Sequence, residues 1–390
     1  MHIFIIPSWY KTPKNPITGT FFEEQARMLQ KRGHRVGILF PKHELRFLGD
    51  SRFEGEPAPR AIEDNGIPTY YSFTQSIVPK VGYPTSVDLW TINTTAYKSY
   101  KSYVKKYGKP DVIHAHSAVY GGIVANYISK KENIPYFLTK HFTGWILLES
   151  RKRSKTFKKL LEGVVNKSSK TFVVSTFYRD QLLKDYRLNP MKLEVVHNVI
   201  NPIFYENRIK ILLSNPIKLS VIGYLVERKN HLTLFKALKI LKDKGFQIEL
   251  KVIGDGPFGV ALKQFTKQNN LESEINFLGL LDREDVLKQA KESHIIVSAS
   301  TFETFGVNII EGLAIGRPVV VYNSGGPLDI VRPKDGILFN DNTPQAFANA
   351  IQNVINNYDS YDQMQIAEDC IVRFGEEHIY QKLIKYYKEE

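Results

Sequence analysis

The sequence predicts an α/β protein made of two Rossmann-like, doubly wound parallel-sheet domains. At 390 residues the chain is long enough for two domains rather than one. Short runs of β-branched or aromatic residues alternate with helical stretches through the first half, and the same alternation starts again near residue 217. Sheets of this kind bind ligands at the carboxyl ends of their strands, so we expect the two domains to face a cleft that holds the ligands.

The first half begins with a strand at His2–Ile6 and a helix at Thr20–Arg32, in which Phe22, Ala26 and Leu29 share one face. Residues 42–68 contain scattered Pro, Gly and charged residues without a period, which predicts a loop. The further strands predicted for this half are Arg35–Phe40, Asp111–His116, Pro135–Thr139, Thr171–Ser175 and Glu194–His197.

The second half repeats the pattern after a linker predicted at Asn198–Asn215, where two Asn-Pro pairs favour turns. These features place the domains at residues 1–200 and 201–373, and residues 363–390 look helical. The strands predicted here are Ile217–Ile222, Ile248–Ile253, Ile275–Leu278, Ile295–Ala299 and Pro318–Tyr322. The helices predicted between them are His231–Lys242, Val260–Asn269, Asp285–Ser293 and Gly306–Ala314.

The composition is that of a globular protein, with 43% hydrophobic and 24% charged residues. Apolar runs are far shorter than the roughly 20 residues that span a bilayer, and Pro7 interrupts the first of them, which argues against a signal peptide. Cys370 is the only cysteine, so no internal disulfide can form. We therefore expect an intracellular location.

Charge is divided unequally along the chain. Residues 1–200 hold 31 Lys and Arg against 16 Asp and Glu. The whole excess of basic residues behind the net charge of +13 therefore lies in this half. A basic half favours an anionic partner such as a phosphate-bearing substrate, a membrane surface or a nucleic acid, although a well-solvated basic surface gives the same count.

The most specific stretch begins at Ser300, directly after the predicted strand Ile295–Ala299. A turn carrying Glu303 leads to a helix that opens near Gly306 and carries Glu311 one to two turns later. The free amides at such a helix start suit a diphosphate, and the two carboxylates could accept hydrogen bonds from sugar and ribose hydroxyls. A helix cap and a solvent-facing glutamate would give the same local sequence.

The spacing of these glutamates resembles the E-x7-E motif of the family-four retaining glycosyltransferases with the GT-B fold. In that family the first Glu contacts the donor sugar and the second contacts the ribose, while the turn between them meets the sugar and the diphosphate. The resemblance therefore implies donor-binding roles for Glu303, Thr304, Phe305, Gly306 and Glu311.

Three further stretches of the second half resemble the donor site of that family. Gly223 and Lys229 match the strand and loop in which an Arg and a Lys hold the diphosphate, but the usual Arg position is Tyr224, and Arg228 is the neighbouring cation that could replace it. Gly254 begins a turn that resembles the family's glycine turn beside the nucleotide. The Ser-Gly-Gly-Pro stretch at residues 324–327 resembles the glycine loop next to the donor phosphates, with Asp329 where the family more often has Glu.

The first half also carries part of the resemblance. Gly19, just before a helix, matches the family's glycine loop near the donor phosphates, and His116 at a strand end matches the family's strand-end histidine, expected to contact sugar or acceptor. His114 is the weaker candidate of that pair, and His141 is a second candidate near the acceptor. A hydrogen-bonded structural histidine remains the alternative for each. No metal-ligand spacing accompanies them, and the resemblance implies a reaction without an essential metal or cofactor, in which the nucleotide-sugar is a substrate.

The resemblance implies the GT-B architecture, with an N-terminal acceptor-binding domain, a C-terminal donor-binding domain and a final helix, 374–390, that crosses back to the first. It implies a cytoplasmic hexosyltransferase that moves a sugar from a nucleotide-sugar to a glycan or lipid-linked acceptor in bacterial surface polysaccharide or glycolipid assembly. The family retains anomeric configuration, and no protein nucleophile stands out. Attack from the face of the leaving group is therefore expected, with the donor phosphate taking the acceptor proton, and Glu303, Lys229 and His116 carry the catalytic roles.

Two basic stretches mixed with aromatic residues suit peripheral docking on the anionic inner face of the cell membrane, although a charge run is often only a solvated face. The first contains Lys98, Lys101, Lys105, Lys106 and Lys109, and the second contains Arg151, Arg153, Lys155, Lys158 and Lys159.

Two other functions compete with this interpretation. A nucleic-acid-binding protein could use the basic half, but no recognisable binding module is present and the Glu303–Glu311 spacing would stay unexplained, so no nucleic-acid partner is expected. A nucleotide-sugar epimerase of the same architecture would bind the same donor and needs to be separated by experiment.

Overall fold

The computed structural model describes residues 1–11, 18–47, 61–78, 85–141, 155–206 and 208–389. Contacts between Cα atoms divide the chain into two compact units. Unit 1 comprises Met1–Val174, Arg179–Val196 and Tyr380–Glu390, and unit 2 comprises Ser175–Tyr178 and His197–Ile379. The predicted boundaries at residues 200 and 374 lie close to these divisions and remain predictions of domain extent.

Among the described residues, unit 1 is built on a sheet of eight strands in the order β3-β4-β2-β1-β5-β6-β7-β8. Every neighbouring pair is parallel except β3 and β4, which are antiparallel. The strands are β1 His2–Pro7, β2 Arg35–Phe47, β3 Ala61–Asp64, β4 Ile67–Val78, β5 Val112–His116, β6 Tyr136–Lys140, β7 Thr171–Val173 and β8 Leu193–Val195.

Helices accompany these strands in the alternation that the sequence predicts. The central strands β1, β5 and β6 are buried along their whole length, as expected when helices cover both faces of a parallel sheet. The helices before the second sheet are α1 Thr20–Lys31, α2 Ser86–Tyr107, α3 Ile123–Glu132, α4 Lys155–Lys167 and α5 Thr176–Asp185.

Unit 2 is built on a sheet of six parallel strands in the order β11-β10-β9-β12-β13-β14. The strands are β9 Ile217–Ile222, β10 Ile248–Ile253, β11 Ile275–Gly279, β12 Ile295–Ser298, β13 Val319–Tyr322 and β14 Gly336–Phe339. The helices are α6 His231–Asp243, α7 Gly259–Gln268, α8 Arg283–Lys291, α9 Val307–Ala314, α10 Pro344–Asn356, α11 Gln363–Phe374 and α12 Glu376–Lys388.

The fold class predicted from the sequence is confirmed, since both units are α/β and rest on parallel sheets. The last helix, α12, follows α11 after Gly375, and its residues from Tyr380 onward belong to unit 1. The Tyr387 hydroxyl there reaches the Nδ1 atom of buried His114, which ties the end of the chain to the centre of the first sheet.

The prediction of a loop at residues 42–68 is wrong for residues 42–47, 61–64 and 67–68, which belong to strands. Residues 48–60 lie outside the described part of the chain. Strand β2 continues to Phe47 because β4 pairs with it in parallel from Ile38↔Thr69 to Phe47↔Val78. Strand β3 then pairs antiparallel with the start of β4. The Pro-Lys-His-Glu sequence from Pro41 lacks alternation, so only the pairing partner reveals the strand.

Candidate functional site

The Glu303 turn is held by the neighbouring glycine loop. After β12, the Glu303 amide donates to the carbonyl oxygen of Ser324 at 3.1 Å, and the Gly326 amide donates to the Glu303 carbonyl oxygen at 2.9 Å. A Cβ atom at Gly326 would lie 2.4 Å from the backbone nitrogen of Phe305, so only glycine permits this approach. The two predicted donor stretches therefore form one rigid backbone assembly at the carboxyl edge of the second sheet.

Glu303 is a buried carboxylate paired with cations. Lys229 Nζ lies 2.6 Å and Arg228 Nη1 lies 3.8 Å from Glu303 Oε1. Burial opposes ionisation of the carboxyl group, but the charges of Lys229 and Arg228 outweigh it, so the pKa of Glu303 lies below its usual value. Glu303 is thus an anion at neutral pH and can only accept hydrogen bonds from a ligand.

Arg228 points toward this carboxylate rather than into solvent. Its Nη1 atom donates to the Phe302 carbonyl oxygen at 2.5 Å, and its own carbonyl oxygen accepts from the Thr301 amide at 2.9 Å. Tyr224 is 60% exposed at the end of β9. Two cations from one short turn, Glu227–Lys229, therefore stand beside Glu303 although the family's usual Arg position holds a tyrosine.

Gly223 and Gly254 bring the ends of β9 and β10 together. Gly254 has φ +140°, and a Cβ atom there would lie 2.0 Å from the Gly223 carbonyl oxygen. The Lys229 side chain passes over Gly223, with its Nζ 3.5 Å from where a Cβ would be. Both glycines therefore keep the lysine close to the strand ends, and a larger side chain at either position would displace backbone or lysine.

Helix α9 begins directly after Gly306, whose φ of +124° favours glycine. Glu311 on this helix is buried and forms an ion pair with Arg283 Nη1. Arg283 opens α8 and lies over the Phe204 ring, 5.6 Å from its centroid. Sequence reasoning missed Arg283, since it lies 28 residues before its carboxylate partner and belongs to no motif.

The remaining predicted residues of the turn are buried. The Thr304 carbonyl oxygen accepts from Ser175 Oγ at 2.6 Å, and Phe305 is stacked near His197 with ring centroids 5.4 Å apart. Asp329 accepts from the Thr176 amide at 2.6 Å and lies 3.4 Å from His197 Nε2. These contacts give Asp329 a clear role in holding the turn that starts α5.

His116 lies at the end of β5, fully buried among other aromatic rings. Its Nδ1 lies 3.0 Å from Nε2 of partly exposed His141, and its ring stacks on His114 with centroids 4.5 Å apart. Burial first, and then the neighbouring His114 and His141, hold the pKa of His116 well below its usual value. His116 is therefore a neutral imidazole, and its Nε2 has no hydrogen-bond partner among the described residues.

Strained backbone surrounds His116. Ser117 and Tyr120 adopt positive φ angles of 66° and 54°, which non-glycine residues rarely do. Ser8 Oγ donates to the His116 carbonyl oxygen at 2.7 Å and accepts from the Gly121 amide at 3.1 Å. Sequence reasoning missed this arrangement, although the Gly121-Gly122 pair after the strand was the available indication of a close backbone approach.

Gly19 is the residue that precedes α1, and it adopts φ 78°. A Cβ atom there would lie 3.1 Å from the Trp9 carbonyl oxygen and from Phe22 Cδ2. The next residue begins the helix, whose first amides lack intrahelical partners. Gly19 thus has a positive φ that favours glycine at the start of α1.

We expect the His114 region to make folding pH-dependent. Burial and His141 lower the pKa of His114 to about 3 in the folded chain, below the ordinary 6.5 of the unfolded state. The unfolded state therefore binds more protons, and stability is lost as pH falls below 6.5, by about 2 kcal/mol at pH 5. Urea unfolding at pH 7.5 and pH 5 measures this loss. His114→Gln should remove this share of the loss, and an unchanged pH dependence in that variant would contradict the assignment.

Two absences among the described residues concern metal ligands and membrane-spanning helices. No three His, Cys, Asp or Glu side chains in this part of the chain are grouped as metal ligands would be. No helix among the same residues is long and apolar enough to cross a membrane.

Two family models match adjoining parts of the chain. The model described as Glycosyltransferase Family 4 matches residues 18–203. The model described as Glycosyl transferases group 1 matches residues 205–368, which contain Lys229, Glu303 and Glu311. Together the two cover the halves that carry the two parts of the candidate site.

Individual glycosyltransferases are similar to this chain over most of their length. An uncharacterized glycosyltransferase of Methanocaldococcus jannaschii is 29% identical over 264 residues, 67% of this chain and 70% of the relative. The putative teichuronic acid biosynthesis glycosyltransferase TuaC of Bacillus subtilis is 26% identical over 369 residues, 90% of this chain and 88% of the relative. Anabaena HepE, solved in complex with UDP, has the same fold, with a TM-score of 0.75, 18% identity and full coverage of both chains. The same protein was also solved with UDP-glucose.

Proposed function

The chain belongs to the family-four glycosyltransferases with the GT-B fold, and from that premise we propose that it moves a hexose from a nucleotide-sugar donor to a glycan or lipid-linked acceptor, with retention of anomeric configuration. The observation that carries the proposal is the contact of Lys229 with Glu303, 2.6 Å apart in a turn held by the glycine loop. A cation and an ionised carboxylate at this distance can bind a diphosphate and a sugar hydroxyl side by side.

The departing nucleoside diphosphate gains negative charge as the bond to the sugar breaks. In this proposal Lys229 and Arg228, with the amides at the start of α9, stabilise that charge, and no essential metal or cofactor takes part. Because these groups are already fixed by the surrounding backbone, little reorganisation accompanies the reaction.

The proposed chemistry is a same-face substitution. The bond between the anomeric carbon and the diphosphate oxygen breaks, the acceptor oxygen bonds to that carbon, and the acceptor proton passes to the departing phosphate. Glu303 orients the sugar by accepting hydrogen bonds, Glu311 holds the ribose, and neutral His116 contacts the sugar or acceptor, with His141 nearer the acceptor. A trapped covalent sugar–enzyme adduct would count against this route.

A panel of nucleotide-sugars, beginning with UDP-sugars because HepE was solved with UDP-glucose, tests the function. We expect one donor to release its nucleoside diphosphate faster when acceptor is present, and the product to keep the donor's anomeric configuration by NMR. An epimerase would instead change the sugar without acceptor. If no nucleotide-sugar is consumed and no nucleoside diphosphate raises the melting temperature, the proposal fails.

The acceptor is proposed to lie at an anionic membrane surface, since one face of α2 suits docking there. Val87 and Trp90 are exposed near its start, and Lys98, Lys101 and Lys105 continue the same helical stripe toward its end. Of the second basic run, Lys155, Lys158 and Lys159 lie in α4, while Arg151 and Arg153 lie outside the described residues.

Vesicle binding checks this membrane proposal. We expect the protein to sediment with anionic vesicles at low salt. Trp90→Ala and Lys98→Glu should each weaken this binding, to which each lysine at the surface contributes about 1 kcal/mol. Lys236→Glu on α6 is the matched control because this lysine is also exposed. Equal binding of all variants, or none at all, would reject the α2 stripe as the docking face.

A further inference from the structure

A pocket of about 420 Å³ opens at the amino edge of the first sheet. It forms where β1, β2 and β4 begin and α2 ends, with His2 paired to Arg35 in the sheet register. We call it the amino-edge pocket, and the lining residues used below are His2, Arg35, Pro68, Tyr103, Lys106 and Tyr107.

The amino-edge pocket is separate from the part of the candidate site that lies in unit 1. Strand β1 runs from His2 at the pocket to Pro7, which pairs with His116 at the carboxyl edge. Five residues of strand span roughly 16 Å. Nothing in the transfer reaction therefore accounts for the charged residues at the amino edge.

Two cations line the pocket without a countercharge bound to them. Arg35 and Lys106 are exposed, and neither forms an ion pair with any residue in the described ranges. Arg35 Nη1 donates to the Tyr107 carbonyl oxygen at 3.4 Å, and Lys106 Nζ lies 5.1 Å from the Tyr107 ring centroid. Of the nearby acids, Asp111 accepts from the His2 amide at 2.7 Å, and Glu63 on β3 is exposed and acts on Lys106 only over a distance.

Aromatic rings form the inner wall of the pocket. The Tyr103 hydroxyl lies 2.6 Å from His2 Nε2, while His2 Nδ1 lies 3.2 Å from the Lys109 carbonyl oxygen. Nδ1 must donate to that carbonyl, so Nε2 accepts from the tyrosine. Burial and then the charge of Arg35 hold the pKa of His2 below its usual value, so this imidazole is neutral. The wall is therefore uncharged, and the cations at its margin dominate the local field.

We propose that the amino-edge pocket binds a phosphate monoester, with Arg35 and Lys106 on the phosphate and the attached body against Tyr103 and Tyr107. A guanidinium fork with a neighbouring ammonium is a common arrangement for phosphate, and the flat rings suit an aromatic or sugar body. The volume falls in the range of small-ligand sites, roughly 300–1,000 Å³. The ligand can be a free metabolite or the headgroup of a lipid such as phosphatidic acid.

Phenyl phosphate is the probe, titrated by calorimetry at pH 7.5 and low salt against the full chain. Every protein in these titrations also carries Lys229→Gln, so that binding of the probe at the donor site does not add to the signal. We expect saturable binding in the millimolar range, weakened about tenfold by Lys106→Gln and by Arg35→Gln, because each removes a charge-assisted contact. Lys98→Gln, another exposed lysine on α2 that does not line the pocket, should change the affinity by less than about twofold.

Each outcome decides the proposal. Binding about tenfold weaker in both pocket variants, with normal binding in Lys98→Gln and unchanged donor turnover of Lys106→Gln in the native background, supports it. No saturable binding, or equal weakening by all three substitutions, overturns it, since the charge would then act only as a general basic surface. Vesicles containing phosphatidic acid separate the sources: binding to them that phenyl phosphate displaces and that Lys106→Gln weakens about tenfold identifies the lipid headgroup, and phenyl phosphate binding alone identifies a free monoester.

Discussion

Replacing Lys229 by Gln is expected to lower kcat about 100- to 1,000-fold with a smaller effect on KM, because the ammonium acts mainly on charge that develops as the diphosphate departs. The side chain crosses Gly223 and its Nζ lies 2.6 Å from Glu303, whereas Arg228 Nη1, the other cation beside this carboxylate, lies 3.8 Å away. Initial rates over a range of donor concentrations separate kcat from KM. Lys236→Gln, an exposed lysine on α6, is the matched control and should keep wild-type rates.

Loss of Lys229 has a second expected effect, on the pH profile. With the lysine gone, burial acts against only one remaining cation, Arg228, so the pKa of Glu303 should rise. The residual activity of Lys229→Gln should therefore increase with pH over a range in which the wild type is flat. A variant with wild-type kcat, or with an unchanged pH profile and intact folding, would remove Lys229 from the proposed charge stabilisation.

Glu311→Gln is expected to remove about half or more of the thermal stabilisation that the cognate nucleoside diphosphate gives to the wild type. A buried carboxylate that accepts hydrogen bonds from two ribose hydroxyls contributes about 1.5–3 kcal/mol, so its loss weakens binding roughly tenfold to a hundredfold. Native-state ligand binding raises the unfolding free energy by about 2.7 kcal/mol at 100 times the Kd. At that nucleotide concentration, a tenfold to hundredfold weaker Kd leaves about 1.4 to 0.4 kcal/mol, so the Tm shift of the variant should be about half of the wild-type shift or less.

A nucleotide without the ribose hydroxyls makes this test specific. The wild type should bind the 2′,3′-dideoxy analogue roughly as weakly as Glu311→Gln binds the natural nucleotide, and the variant should not distinguish the two. Glu272→Gln, an exposed glutamate of unit 2, serves as the control. If the variant still prefers the natural nucleotide by the wild-type factor, Glu311 does not hold the ribose. Melting without ligand reports separately on the lost ion pair with Arg283.

Most strands and helices of unit 2 were predictable because they are short buried runs or amphipathic segments with local punctuation. Strand β9, for example, has the predicted ends, Ile217 and Ile222. Strand β14, Gly336–Phe339, was not predicted, since its four residues pair with β13 without a pattern of their own. The same reason explains the extension of β2 to Phe47, where the strand depends on β4 rather than on alternation.

The residues of the candidate site also differ in whether the sequence alone could predict them. Glu303, Gly306 and Glu311 could be found because one turn and one helix hold them at fixed spacing. Arg283 could not, because its contact with Glu311 joins two helices of the second unit. Nor could any local pattern give the protonation of His116, which depends on rings from β5 and from the segment after β6.

The late position of helix α12 in the chain affects how unit 1 folds during synthesis. The Tyr387 hydroxyl contacts His114 across 273 residues of sequence, and residues from Tyr380 onward complete unit 1. On a ribosome that adds about 5–20 residues per second, the first sheet therefore waits roughly 10–40 s after Val196 for its last helix. During that interval the aromatic surface around Phe137 and Phe172, which later meets Tyr387 and Tyr386, is uncovered. Nascent chains stalled within that window are thus expected to be the form that chaperones capture.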